Sequence, residues 1–91
     1  MLTRAEHPTA EEVLGVIRDA LAVVLEIDPS GVTRDSALAT LDVDSLALVE
    51  VAEIVEEHLA SYAREPLVIA DADLEQFSTV GQVVDYVLAR V

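Results

Sequence analysis

The sequence predicts an all-α fold: a small four-helix bundle with three main helices, one short helix, and a long ordered loop between helices 1 and 2. Three observations predict it. The chain has 91 residues and no cysteine, so one compact core must suffice without disulfides. At this size only about 60–65% of the unfolded chain's surface can be buried, which favours helices because they close their hydrogen bonds locally. Apolar residues recur at three- and four-residue spacing in separate stretches of the chain. Finally, 53% hydrophobic residues and a mean hydropathy of +0.44 are too apolar for a disordered acidic tail, despite a net charge of −13.

The first helix is announced by Thr9-Ala10-Glu11-Glu12. In this capping box Thr9 caps the helix, Glu12 reaches back to the Thr9 amide, and Pro8 stands just outside. Residues 1–8 read as a flexible start to a single domain spanning 1–91. The helix is expected to run to about Glu26, with Val13, Ile17, Ala20, Leu21, Val24 and Leu25 on one face and Arg18, Asp19 and Glu26 toward solvent.

From Ile27 to Asp44 the chain carries turn chemistry at Asp28-Pro29-Ser30-Gly31 and no sustained period. A connection this long in a small domain calls for anchors, and Val32, Leu38 and Leu41 are expected to pin it to the core.

Ser45 to Tyr62 is the strongest helical signal. At about 100° per residue, Leu48, Val51, Ala52, Val55, Leu59 and Tyr62 fall within roughly ±40° of one direction and form the core stripe. Leu46, Val49, Glu50, Glu53 and Glu57 fall on the opposite side, where Leu46 and Val49 are apolar residues surplus to the core. Arg64-Glu65-Pro66 is expected to break the helix, and Leu67 to Ala72 to form a linker with an apolar spot at Leu67-Val68-Ile69. Asp71 or Asp73 can cap a short helical turn through Leu74, Glu75, Gln76 and Phe77. Ser78 or Thr79 can cap a last helix whose Val80, Val83, Val84, Val87 and Leu88 face inward. Their β-branched character leaves strand as a competing reading of 80–88, although period and length favour helix.

Composition then narrows the function. The five basic residues are all arginine and form no stripe, so nucleic acid and anionic membranes are poor partners. An acidic surface attracts basic surfaces on other proteins. No apolar run reaches the length of a membrane span and the start lacks a signal-peptide stretch, so a cytoplasmic, monomeric protein is expected.

The inventory for chemistry is thin. With no cysteine and only His7 and His58, a metal site of the usual ligands is not expected. Calcium fares no better: counted from Asp71, Gln76 and Gln82 stand where an EF-hand loop needs Gly and Glu, and counted from Asp42 those positions hold Ala47 and Glu53. Ser45 and His58 are separated by about 20 Å of helix, beyond any catalytic pairing. No catalytic residue is assigned and no metal ligand, and the chain is read as a non-enzyme.

What remains is Asp44-Ser45-Leu46, a serine where the long loop meets the most strongly patterned helix. As an isolated tripeptide it reads as an ordinary helix cap, since Ser is a preferred N-cap. Its surroundings resemble the acyl carrier protein family. Val32 to Leu46 looks like that family's loop leading into its Asp-Ser-Leu attachment motif, Val49-Glu50 and Glu56-Glu57 like its acidic second helix, and Ser78 to Val87 like its last-helix signature.

The resemblance implies that Ser45 carries 4′-phosphopantetheine, transferred from coenzyme A by a separate Mg²⁺-dependent phosphopantetheinyl transferase, with Asp44 and Leu46 flanking the attachment point. Acyl intermediates would ride as thioesters on the arm. Leu46, Val49, Glu50, Glu53 and Glu57 would form a docking face for the transferase, for an acyl-loading ligase or acyltransferase, and for synthase or condensing enzymes with basic surfaces. Three departures shape the expectation: Asp42 stands where the family usually has Gly, Ala47 follows the motif where fatty-acid carriers often have a polar residue, and Ala60 to Phe77 is longer than in compact members. They point to a carrier in polyketide or lipopeptide biosynthesis. The alternatives are a housekeeping fatty-acid carrier, a peptidyl or aminoacyl carrier and, in another class, an unmodified acidic helical adaptor.

Overall fold

The computed structural model describes residues 8–63 and 66–91. Met1 to His7, and the Arg64-Glu65 pair expected to break the second helix, lie outside the described residues. Pro8, grouped by sequence with the flexible start, is buried.

Helix α1 spans Ala10–Leu25 and begins as its capping box dictates: the Glu12 amide donates to Thr9 Oγ1 at 3.1 Å and the Thr9 amide donates to Glu12 Oε1 at 2.8 Å. It ends where Glu26 turns left-handed, with φ 57°, and the Ile27 amide donates back to the Ala22 carbonyl at 3.1 Å. Val13, Ile17, Ala20 and Leu21 are buried, while Val24 and Leu25 are half-buried at the helix's end. The burial set repeats at three- and four-residue steps, which is why a single stripe serves two neighbours.

Those neighbours are α2, Ser45–Leu59, and α4, Val80–Leu88, both packed against α1. Leu48, Val51, Ala52, Val55 and Leu59 of α2 are buried, as are Val80, Val83, Val84 and Val87 of α4. Helix thus prevails over strand for 80–88. Thr79 Oγ1 accepts from the Gln82 amide at 3.3 Å, and Gln82 Oε1 accepts from the Thr79 amide at 3.2 Å. This second capping box supplies the nucleus that the β-branched run lacks by propensity. Among the described residues the only strand-like feature is an isolated antiparallel bridge between Ala37 and Thr79.

Three expectations need correction. The regular α-helix from Ser45 stops at Leu59 and tightens into a 3₁₀ turn at Ala60–Tyr62, a common way to finish a helix, which leaves Tyr62 only half-buried. Val49 is not surplus to the core but half-buried against it. It lies about 100° around the helix from Leu48, a flank rather than the far side. Glu56, two turns on along the same flank, accepts a 2.7 Å hydrogen bond from the Ile69 amide and so ties residues 66–70 there. The short helix α3 spans Asp71–Leu74 with Ala70 in the N-cap position, so the cap falls one residue before the expected aspartates.

Asp73 works elsewhere. Its carboxylate accepts the Tyr86 hydroxyl at 2.5 Å, joining α3 to α4. The Tyr86 ring meets Phe77 edge-on at 5.3 Å and lies under the Arg90 guanidinium at 3.5 Å. The hydrogen bond to Asp73, with desolvation, holds the Tyr86 hydroxyl above its ordinary pKa of 10.0. A raised folded value means that the neutral hydroxyl stabilises the fold fully below pH 10 and that this contribution disappears as pH rises through the folded value. Thermal melts of the parent and Tyr86→Phe should therefore converge above pH 10, the parent losing more. Parallel pH curves would show that this bond contributes nothing.

Candidate functional site

The serine is presented by two linked devices, a docked loop and a capped helix. The loop leaves α1 through a 3₁₀ turn at Pro29–Gly31, where Asp28 Oδ1 accepts from the Ser30 amide at 2.9 Å. That bond holds the exposed Asp28 carboxyl below its ordinary range. Val32 and Leu38 are buried and Leu41 is half-buried, so two of the three expected anchors are fully seated.

Beyond Val32 the loop is fastened to the start of α4. Its Leu38 amide donates to Ser78 O at 2.9 Å, the Val80 amide to Ser36 O at 3.0 Å, and the Gly81 amide to Arg34 O at 2.8 Å. A Cβ on residue 81 would stand 3.1 Å from that Arg34 oxygen, so any larger residue there would require the carbonyl to shift by a few tenths of an ångström. The Arg34 guanidinium also bonds both oxygens of Asp85, at 3.0 and 3.1 Å. Sequence reading missed these contacts, for Arg34 and Asp85 lie 51 residues apart and share no local period.

The loop then makes one helical turn and stops. The Leu41 amide donates to Ala37 O, the Asp42 amide to Ala39 O, and the Val43 amide to Leu38 O at 3.1 Å, with Asp42 left-handed at φ 60°. Val43, half-buried against the core, fixes the exit. Asp44 follows in extended conformation as the N-cap of α2, its Oδ1 accepting from the Ala47 amide at 2.8 Å.

This placement decides between the two readings of Ser45 as a structural element. The cap is Asp44, and Ser45 is the first residue of the helix, exposed, with its hydroxyl in no hydrogen bond to a described residue. Sequence alone leaves the choice open because Asp and Ser cap comparably well. The result is a primary hydroxyl at the positive end of a 15-residue helix dipole, free of structural duty. Its acidic neighbours in the chain are Asp42 and Asp44, and Asp44 Oδ1 is engaged by the Ala47 amide. A phosphoryl group there would be favoured by the helix end and opposed by Asp42 and Asp44.

Around it, Leu46 is 69% exposed, and Glu50, Glu53 and Glu57 are exposed further along α2. The structure thus brings Leu46 and these three glutamates to one solvent face, with Val49 as its half-buried edge. Glu56 is drawn aside by Ile69. His58 lies apart from Ser45, in an open cleft of about 570 Å³ shared with Glu12, Asp19 and Tyr62. Among the described residues no group of three or more His, Asp or Glu side chains is placed to hold a metal ion, and no helix is long and apolar enough to cross a membrane.

Residues 15–87 match the family described as the phosphopantetheine attachment site. The chain is 35% identical over 80 residues to a meromycolate extension acyl carrier protein of Mycobacterium leprae, covering 87% of this chain and 64% of that one. It is 34% identical over 80 residues to an acyl carrier protein of Rhodococcus erythropolis, covering 87% and 81%, and 33% identical over 78 residues to one of Thermotoga maritima, covering 85% and 89%. The chain thus spans somewhat less than two thirds of the mycobacterial relative's length and most of the other two. With its helical bundle and the family match running from α1 to the end of α4, the chain belongs to the acyl carrier protein family.

Proposed function

We propose that this chain is a non-catalytic acyl carrier, modified at Ser45 with 4′-phosphopantetheine and acting in a specialised lipid, polyketide or lipopeptide pathway. The observation that carries the reading is the division of labour at the start of α2, where Asp44 caps the helix and leaves the Ser45 hydroxyl exposed and unbonded among the described residues. In the modification, Ser45 Oγ attacks the β-phosphorus of coenzyme A. The new O–P bond replaces the pyrophosphate bond, adenosine 3′,5′-bisphosphate leaves, and the serine proton passes to a base on the transferase. Coenzyme A thus supplies the thiol on which an acyl group is held, and a chain without cysteine has no thiol of its own to compete. Asp44 and the neighbouring acids hold the anionic arm out toward solvent.

Leu46, Glu50, Glu53 and Glu57 are the contact face for enzymes with basic docking surfaces, and Val49 supports it from below. An exposed leucine beside a row of carboxylates offers an apolar anchor with charge around it. The relatives named for meromycolate extension support a specialised role, and the relatives named simply acyl carrier proteins support the housekeeping alternative. A monomer in the cytoplasm is the working state. The test is incubation with coenzyme A, Mg²⁺ and a panel of phosphopantetheinyl transferases followed by intact mass. A gain of one phosphopantetheine unit is expected. No gain with any transferase favours the unmodified adaptor instead.

A further inference from the structure

Two residues other than glycine hold positive φ among the described residues, Glu26 at 57° and Asp42 at 60°. Both close a helical turn in the same manner: Ile27 N–H reaches back to Ala22 O, and Val43 N–H to Leu38 O, each at 3.1 Å. The left-handed residue in such a closure is most often glycine, because a Cβ is strained there. Aspartate offsets part of that strain when its side chain bonds the nearby backbone. The Asp42 carboxylate makes no such bond with any described residue, in contrast to Asp28 and Asp44, which each cap a turn or helix. Folding would be served as well or better by glycine at 42.

The position matters because of its neighbour. Three residues of chain span at most about 11 Å, and an enzyme acting on Ser45 Oγ covers a patch of about 800 Å² in an ordinary complex, a disc of roughly 16 Å radius. A patch of that size centred on Ser45 takes in Asp42, which is exposed as Ser45 is. An exposed carboxylate covered by a partner must meet a cation or be left desolvated and unpaired, so it admits some partners and penalises others. An enzyme that binds the phosphates of coenzyme A beside Ser45 has cations to offer.

We propose that Asp42 is a specificity-determining contact for the phosphopantetheinyl transferase of this carrier, its carboxylate paired with a basic group of that enzyme. The inference rests on the modification of Ser45 proposed above. It is tested with the full chain and the transferase that modifies it best, by measuring kcat and KM for the apo-protein and the melting temperature of each variant. Asp42→Asn and Asp42→Gly should raise KM about two- to fivefold with kcat unchanged, the effect fading at about 0.5 M salt. Asp42→Glu should restore much of the loss. Asp42→Gly and Glu26→Gly should both raise the melting temperature, but only the change at 42 should move KM, which separates recognition from relief of strain.

Parent-like KM values in Asp42→Asn and Asp42→Gly would overturn the inference while leaving the carrier reading intact. An equal rise in KM for Glu26→Gly would overturn it too, by tracing the effect to backbone conformation. A parent chain that no transferase modifies would overturn the carrier reading and this inference with it.

Discussion

Ile17→Ala should lower the stability of this protein by about 3 kcal/mol. Ile17 is 1% exposed and sits mid-way along α1, the helix against which both α2 and α4 pack. Truncation removes three carbon atoms from a site walled by two other helices, so the surroundings can collapse only partly and a cavity adds to the lost transfer energy. In a domain of this length each kcal/mol corresponds to roughly 4–8 °C in melting temperature, and the variant should melt about 12–24 °C below the parent. Val23, on the same helix but 71% exposed, provides the contrast: Val23→Ala should stay within about 0.5 kcal/mol. Thermal or urea unfolding followed by circular dichroism checks both. Similar losses at the two positions would contradict a core organised around the buried stripe of α1.

Reversing Glu50, Glu53 and Glu57 together to Lys should have the largest effect on partners. All three are exposed on α2 and none makes a hydrogen bond to another described side chain, so the fold has little stake in them. The triple change moves the net charge from −13 by +6 to −7 and replaces attraction for a basic surface by repulsion. Each exposed charge pair is worth about 0.2–1 kcal/mol. Three reversals together should slow modification by a transferase at limiting carrier concentration by about tenfold or more, most strongly at low ionic strength. The melting temperature should change little, or rise as self-repulsion along α2 eases. A loss of stability matching the loss of rate would show that these glutamates are structural.

Much of the fold is legible in the residues because its energetics are local or periodic. Thr9/Glu12 and Thr79/Gln82 announce their helices, since a capping box needs only four consecutive residues. Val13, Ile17, Leu21 and Val51, Val55, Leu59 announce their faces, because burial follows the helical period. The failures are equally physical. Val49 stands about 100° from the core direction, at the border between the two faces of α2, where the helical period alone does not settle burial and packing against the core does. Aspartate's preference for caps makes Asp71 or Asp73 the expected cap of the short helix, and nothing local reveals that Asp73 pairs with Tyr86, 13 residues later.

The site divides in the same way. Its place, at the junction of a long loop and an acidic helix, is visible in the sequence, and the resemblance to carrier proteins supplies the chemistry. The assignment of Asp44 rather than Ser45 to the cap is a matter of backbone angles, and both residues are competent for it. The docking of the loop through Arg34, Ser36 and Leu38 onto residues 78–85 depends on contacts across half the chain. Asp42 could be flagged by composition as an acid where glycine is usual, but only the left-handed backbone reveals what that substitution costs.

The central claim is that the Ser45 hydroxyl, relieved of capping by Asp44, is the acceptor for 4′-phosphopantetheine. Intact-mass measurement of the parent and Ser45→Ala, treated side by side with coenzyme A, Mg²⁺ and an active transferase, tests it most directly. Because Asp44 retains the cap and Ala is at home in the first turn of a helix, Ser45→Ala should fold with parent-like stability. The parent should gain one phosphopantetheine unit and Ser45→Ala none. A folded Ser45→Ala that still gains the unit, or a parent that never does, would contradict the account.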